Sequence, residues 1–132
     1  MRFLTGITSI VKGFSAKEAL GKFSPDGKFI ADITLGVGDG SEKYPTMWVN
    51  VPVWEKIGEK AVELIDKKGI PIEATGMLQV RMYEGKRGKT VAIELKNVHA
   101  LKIYDRDGNL IKLISNEITE EIIKEKTENG TE

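Results

Sequence analysis

Two tryptophans in the segment MWVNVPVW, residues 47–54, are side chains whose chemistry and spacing indicate a ligand. Successive side chains of a β-strand point to opposite faces, so the three valines share one face and Trp48 and Trp54 share the other. The aliphatic face suits a core, which predicts that both indoles face outward. Six residues at about 3.3 Å each separate the rings by about 20 Å, too far for mutual stacking but far enough for two bases of an extended strand.

A third aromatic side chain, Tyr83, falls on the polar face of another predicted strand, together with Gln79 and Arg81. Flat aromatic rings stack on nucleobases with little sequence preference, and each stacked base contributes about 1–3 kcal/mol. Basic side chains nearby would contact the phosphate backbone. The predicted stacking residues are therefore Trp48, Trp54 and Tyr83, and the predicted phosphate contacts are Lys56, Lys68, Arg81, Lys86, Arg87 and Lys89.

Other interpretations of these residues stay open. An outward tryptophan can also pack against a helix or a neighbouring subunit. Pro52 on the same face is compatible with an edge strand or a subunit contact, because proline donates no ladder hydrogen bond. The cations of the predicted hairpin tip, residues 85–88, form either a solvated turn or a clamp on a nucleic-acid backbone.

The elements that must position these side chains follow from the hydrophobic periodicity. Alternation predicts strands, and apolar residues at spacing i, i+4, i+7 and i+8 predict one helix. A loop that contains Lys17, Glu18 and Gly21 is predicted after the first strand. The predicted strands are residues 3–11, 28–37, 47–54, 70–83, 90–103 and 110–114, and the predicted helix is residues 55–68.

One helix after the third of five strands predicts a mainly β protein with the OB-fold. This is a five-stranded antiparallel Greek-key barrel with one α-helix between strands 3 and 4, here with a C-terminal hairpin extension. We expect the OB domain in residues 1–104, the hairpin extension in residues 105–115, and an acidic, flexible tail in residues 116–132. Residues 1–104 hold 16 basic and 12 acidic side chains, a balance of +4, and residues 105–132 hold 4 and 8, a balance of −4. A mildly basic body with an acidic tail suits an anionic ligand.

Several classes of function are disfavoured by what the sequence lacks. It has no cysteine for disulfides or thiolate metal sites, and His99 is its only histidine, so a metal site built from several histidines cannot form. Residues 85–90 resemble a phosphate loop, but Tyr83 stands where the motif needs glycine and a strand follows instead of a helix. No apolar run approaches the roughly 18 residues of a membrane span, and the N-terminus is a poor signal peptide. We expect a cytoplasmic protein without enzymatic activity, cofactor, metal or membrane partner.

The run W-V-N-V-P-V-W-E-K-I-G-E-K-A, followed by K-K-G and later by G-M-L-Q-V-R-M-Y, resembles the bacterial single-stranded DNA-binding protein family over residues 3–104. The resemblance implies base-stacking positions at Trp48, Trp54 and Tyr83, and basic positions near the DNA at Lys56, Lys68 and Arg81. It also implies a cytoplasmic homo-oligomer, a tetramer or else a dimer. Such a protein protects single-stranded DNA in replication, recombination and repair without strong sequence preference.

The sequence departs from that family in three places. The loop at residues 38–46 is short and has Tyr44 as its only aromatic residue, and the segment of residues 6–27 is longer than usual. The C-terminus lacks the acidic Pro-Phe tip that recruits replication and repair enzymes in the family, so no such partner is assigned. The alternative prediction is an OB-fold module for replication restart or RNA binding, with aromatics that partly serve a subunit interface. A purely structural oligomer is a third interpretation.

Overall fold

The computed structural model describes Phe3, residues 5–115 and the backbone of Glu121–Ile122. Apart from those last two residues, the predicted tail at residues 116–132 lies outside the described residues. The elements are β1 (Ile7–Ser15), β2 (Leu20–Phe23), β3 (Phe29–Val37), β4 (Met47–Trp54), α1 (Glu55–Leu64), β5 (Pro71–Gly85), β6 (Gly88–Tyr104), β7 (Leu110–Ser115) and β8 (Glu121–Ile122).

Five of these strands close a barrel. β1 pairs antiparallel with both β3 and β5, β3 pairs with β4, and β5 pairs with β6. A parallel pairing of β4 with β6, through Val49–Ile93 and Asn50–Glu94, completes the ring. With α1 between its third and fourth strands, the barrel is an OB-fold, and the predicted fold class is confirmed.

Alternating aliphatic side chains fill the barrel, as their period of two predicts. On β4 the three valines are buried while both tryptophans are exposed, and α1 packs Ile57 and Ala61 against the same core. β7 pairs with β6 and adds the buried Ile114. The buried residues of the barrel strands include Ala31, Ile33, Leu35, Val49, Val51, Val53, Ile72, Ala74, Leu95, Leu101 and Ile103.

The beginning of the chain differs from the prediction in two ways. β1 begins at Ile7 and extends to Ser15, instead of covering residues 3–11. The loop predicted around Gly21 contains the short strand β2, which pairs with β3. A β-carbon on Gly21 would clash with the Cζ atom of Phe29. Glycine is therefore present because an aromatic ring crosses the strand at this point, and not because the chain turns there.

The helix is shorter than predicted, ending at Leu64 and not at Lys68. Ile65 still donates its N–H to the carbonyl of Ala61 at 2.8 Å, but its own carbonyl accepts the N–H of Ala19 at 2.8 Å. The buried Ile65 is thus tied to the segment before β2, and the chain leaves the helical path. Gly69, which comes directly after the predicted helix range, instead lies in a later turn with φ +86°.

The β5–β6 hairpin extends beyond the barrel. Its pairing continues to a tip at Gly85 and Gly88, as predicted for this turn, whereas β4 contacts β6 only around Ile93 and Glu94. Val80 and Met82 lie on the inward side of β5, but they are 56% and 67% exposed because no other strand covers this part of the hairpin. In the part of the chain that the structure describes, no helix is both long and apolar enough to cross a membrane.

Candidate nucleic-acid interface

The outward sides of β3, β4, β6 and β5 form one continuous surface, here called the outer face. A row of polar residues crosses it: Thr34 lies opposite Asn50, Asn50 opposite Glu94, and Glu94 opposite Gln79. The neighbours of these residues along β3, β4 and β6 are core residues, which fixes the outward direction of the row. The predicted site residues can be placed relative to this row.

Trp48 lies one step from the polar row, towards the hairpin. It pairs with Gly36 of β3, and its Cζ3 atom is 3.0 Å from the position that a β-carbon on Gly36 would take. The indole therefore lies over the bare backbone of β3, while the side chain stays 59% exposed. This arrangement presents an aromatic surface that is supported from below and open to solvent.

Trp54 lies at the other end of β4 and is 44% exposed. Glu55, with a φ of +53° in the left-handed region, follows it directly and turns the chain into α1. Lys56 in the first turn of α1 and Trp54 line the same groove, together with Asn97 and Ser115. The structure thus brings one predicted cation next to one predicted stacking residue.

The hairpin carries the third predicted aromatic residue. Tyr83 is 51% exposed, and with Arg81 it continues the outward side of β5 beyond Gln79. On the usual spacing of a sheet, Tyr83 is two strands and one step from Trp48, or about 12 Å. Sequence alternation placed all three aromatics outward, and the strand pairing shows that Tyr83 shares the surface that carries Trp48.

Three further predicted cations are gathered at the end of the hairpin. Lys86 and Arg87 form its tip, and Lys89 lies opposite Glu84. Lys89 also lines a shallow depression with Tyr83. Together with Arg81, these side chains give the hairpin four positive charges beside one aromatic ring.

Lys68 is placed apart from the other five cations. It lies in the loop between α1 and β5, next to Gly69, whose N–H donates to the carbonyl of Ser15 at 2.8 Å. This contact puts Lys68 beside the end of β1, with β1 and β3 between it and β4. The sequence could not reveal this separation, because it depends on which strand the loop returns to.

The six predicted cations are available for a ligand. Between described residues, the ion pairs join other side chains: Lys22 to Asp32 at 2.9 Å, Lys60 to Glu63 at 3.5 Å, and both Lys12 and Lys102 to Glu73 at 3.7 and 3.5 Å. None of the six takes part in an ion pair with a described residue. No carboxylate of a described residue therefore lies within ion-pair distance of these six charged groups.

Glu73 is a buried carboxylate on the outer side of the barrel. The Tyr104 hydroxyl donates to its Oε1 atom at 3.3 Å, between the two lysines that flank it. Burial raises the pKa of Tyr104, and the negative charge of Glu73 raises it further. This cluster stabilises the junction of β1, β5 and β6 and lies away from the three predicted stacking residues.

Two exposed aromatic residues, Phe14 and Tyr44, are not among the predicted stacking residues. Phe14 pairs with Gly36, so Phe14, Gly36 and Trp48 form one outward row across three strands. Phe14 also lines an apolar cavity of about 470 Å³ near Tyr104 and Arg106. Continuing the alternation past residue 11 would have found it. Tyr44, in the loop before β4, is exposed, with the Lys43 Nζ 5.4 Å from its ring centroid.

Metal binding finds no support in the geometry. Among the described residues, no group of three or more histidine, cysteine, aspartate or glutamate side chains is arranged to hold a metal ion. His99 is exposed at the irregular part of β6, near Asn97 with its φ of +51°. The outer face itself presents exposed aromatic rings flanked by cations.

Comparisons with known proteins place the fold. No protein-family model matches the chain, and no curated protein matches it in sequence. Among solved structures, the crystal structure of the small single-stranded DNA-binding protein from Streptomyces coelicolor is similar, with a TM-score of 0.60. The match covers 79% of this chain and 98% of that chain at 14% sequence identity. At this identity, the likeness shows that the two chains share the OB-fold.

Proposed function

We propose that the protein binds single-stranded DNA along its outer face. The observation that carries this proposal is the position of Trp48 and Trp54, which are exposed on one side of β4 while the valines between them fill the core. Large aromatic side chains bury favourably, at roughly 25 cal/mol per Å². Their exposure as a pair on one side of a strand therefore favours a role with a ligand.

The chemistry of binding combines two contributions. Bases stack on Trp48, Trp54 and Tyr83, each contributing about 1–3 kcal/mol with little dependence on base identity. The hairpin cations and Lys56 contact the phosphates, which makes the affinity depend on salt. A single strand that runs from Trp54 through Trp48 to Tyr83 meets cations at both ends of its path.

The biological role is inferred from the fold. The fold shared with the Streptomyces coelicolor single-stranded DNA-binding protein supports it by analogy. On this basis we infer that the protein protects single strands in replication, recombination and repair in the cytoplasm, as a homotetramer or dimer. The stacking mode supports tolerance of many sequences.

A second candidate function is that of an OB-fold interaction module for replication restart or RNA binding. The observation in its favour is the apolar side of the hairpin, where Val80, Met82 and Val91 are all exposed. Exposed apolar patches mark protein contacts. In this case part of the exposed apolar and aromatic surface would serve a subunit interface.

A fluorescence titration tests the proposal. Addition of oligo(dT) at low salt should quench the tryptophans, and log affinity should fall with log salt by about 0.7 per neutralised phosphate. Absence of quenching with folded protein would contradict single-strand binding. Stronger binding to single-stranded RNA than to DNA would favour the second candidate, and equal binding to duplex DNA would exclude a role for stacking.

A further inference from the structure

The outer face has a groove between its two tryptophans. Its volume is about 380 Å³, within the lower range of small-molecule sites. The groove lies over the part of β4 that separates the two indoles. A nucleic-acid strand that contacts both indoles must therefore cross the groove. The polar residues and proline that line it are Lys17, Asp32, Thr34, Asn50, Pro52 and Glu94.

The two carboxylates in this groove differ in their partners. Asp32 forms an ion pair with Lys22, with 2.9 Å between Oδ2 and Nζ. Glu94 is half-buried in the polar row between Asn50 and Gln79, and its carboxylate makes no hydrogen bond or ion pair with a described residue. A half-buried carboxylate without a partner is able to accept hydrogen bonds from a ligand.

The carboxylate of Glu94 affects which part of a nucleic acid fits beside it in the groove. An ionised carboxylate is only an acceptor and repels phosphate, so the sugar–phosphate backbone is disfavoured over Glu94. Base edges remain, and they differ in what they offer. Cytosine presents the N4 amino group and adenine the N6 amino group as donors, whereas thymine presents the O4 acceptor at the equivalent position.

We propose that Glu94 makes this groove selective for bases that carry an exocyclic amino group, and that it disfavours thymine. The proposal rests on the proposed single-strand binding and specifies its ligand. Asn50, next to Glu94 in the row, and Thr34, next to Asn50, have both donors and acceptors and so accept any base. Stacking on the tryptophans supplies affinity, and Glu94 supplies a preference in base composition.

The test compares oligo(dC) with oligo(dT) of equal length at pH 8, by tryptophan quenching at low salt. We expect the wild-type protein to bind oligo(dC) about tenfold more tightly, since one matched base contact discriminates by this order. Glu94→Gln should remove most of this ratio, because its amide can donate to the thymine O4 atom. Glu59→Gln on the exposed side of α1 removes the same charge outside the groove and should leave the ratio unchanged.

A change in the ligand tests the same contact without a mutation. Oligomers with N4,N4-dimethylcytosine keep the ring but lack the amino donors, so the wild-type protein should bind them as weakly as oligo(dT). Equal affinity for oligo(dC) and oligo(dT), or a preference for oligo(dC) that survives this methylation, would overturn the role of Glu94 while single-strand binding stands. Absence of binding to every oligomer at low salt would instead overturn the proposed function itself.

Discussion

The indole of Trp48 lies across the backbone of Gly36, with 3.0 Å between its Cζ3 atom and the position of a β-carbon on that glycine. Gly36 does not have a positive φ, so its backbone conformation would accept alanine without strain. The contacts that an added methyl group would make are with Trp48 and, at 3.4 Å, with the Cγ2 atom of Thr46. Residue 36 therefore controls how the Trp48 ring lies on the barrel.

Gly36→Ala should weaken single-strand binding by several-fold, because the methyl group displaces the indole from its position over β3. The midpoint of thermal unfolding should change little, since the ring is exposed and can move. In a Trp48→Ala background, the same substitution should have no further effect on binding. This double-mutant cycle isolates the pair, and an equal loss in both backgrounds would show that residue 36 acts independently of the indole.

Trp48→Ala and Trp54→Ala should each reduce the binding free energy by about 1–3 kcal/mol, the contribution of one stacked base. Tyr83→Phe should retain binding and Tyr83→Ala should lose it to a similar extent, because the ring and not the hydroxyl stacks. Circular dichroism should show that all four variants fold.

Phe23→Ala is the matched control for these substitutions. Phe23 is exposed on β2, off the outer face, where it packs edge-to-face with Phe29 at 5.5 Å between centroids. It should therefore leave DNA affinity unchanged. If the tryptophan variants unfold, or if Phe23→Ala weakens binding as much as they do, the outward aromatics have a packing role.

Removing hairpin charges should lower the salt dependence of binding. Arg81→Gln should reduce the slope of log affinity against log salt by about 0.7, and the triple variant of Lys86, Arg87 and Lys89 to glutamine should reduce it by about 2. Lys68→Gln should have a smaller effect, because Lys68 lies beside β1. A full effect of Lys68→Gln would indicate that the DNA path continues across β3 and β1, past Phe14.

The turn between β6 and β7 should respond to acid through Asp105. Its carboxylate accepts the backbone N–H groups of Asn109 and Asp107, each at 2.9 Å, and the side-chain amide of Asn109 at 3.3 Å. These bonds, first that from Asn109, hold the pKa of Asp105 below its usual value. A depressed pKa means that the stabilisation is present above the usual aspartate value of about 3.9 and is lost as pH falls through the folded pKa.

The measurement is the backbone amide chemical shift of Asn109, followed by NMR from pH 6 to pH 2. The wild-type protein should show a transition centred below about 3.9. Asp105→Asn should abolish that transition, because the acceptor remains but the ionisation is gone. Asp107→Asn, a matched change in the same turn, should leave it in place, and persistence of the transition in Asp105→Asn would assign it to another group.

Local patterns were sufficient to predict the framework of the protein. Alternation predicted that Trp48 and Trp54 face outward from β4, and the apolar spacing predicted a helix directly after Trp54. The hairpin tip at residues 85–88 could also be predicted from its glycines, because a tight turn depends on neighbouring residues alone. These features are encoded within short stretches of chain, where the period of the side chains is set by backbone geometry.

Other features depend on contacts between distant segments. β2 exists where Gly21 admits the ring of Phe29, and α1 ends where Ile65 meets Ala19. Neither contact can be predicted from the residues that adjoin it in the sequence. The same holds for Glu94, which reaches the groove only because β4 and β6 pair in parallel at Asn50.

The chain has two tryptophans, and both stand on the solvent side of β4. Both side chains are about half exposed, so their emission in the folded protein is already partly that of hydrated indole, and heat or denaturant should shift its wavelength less than that of a buried tryptophan. Under the proposed function, tryptophan fluorescence will therefore respond mainly to a ligand bound at the outer face and only weakly to unfolding of the barrel.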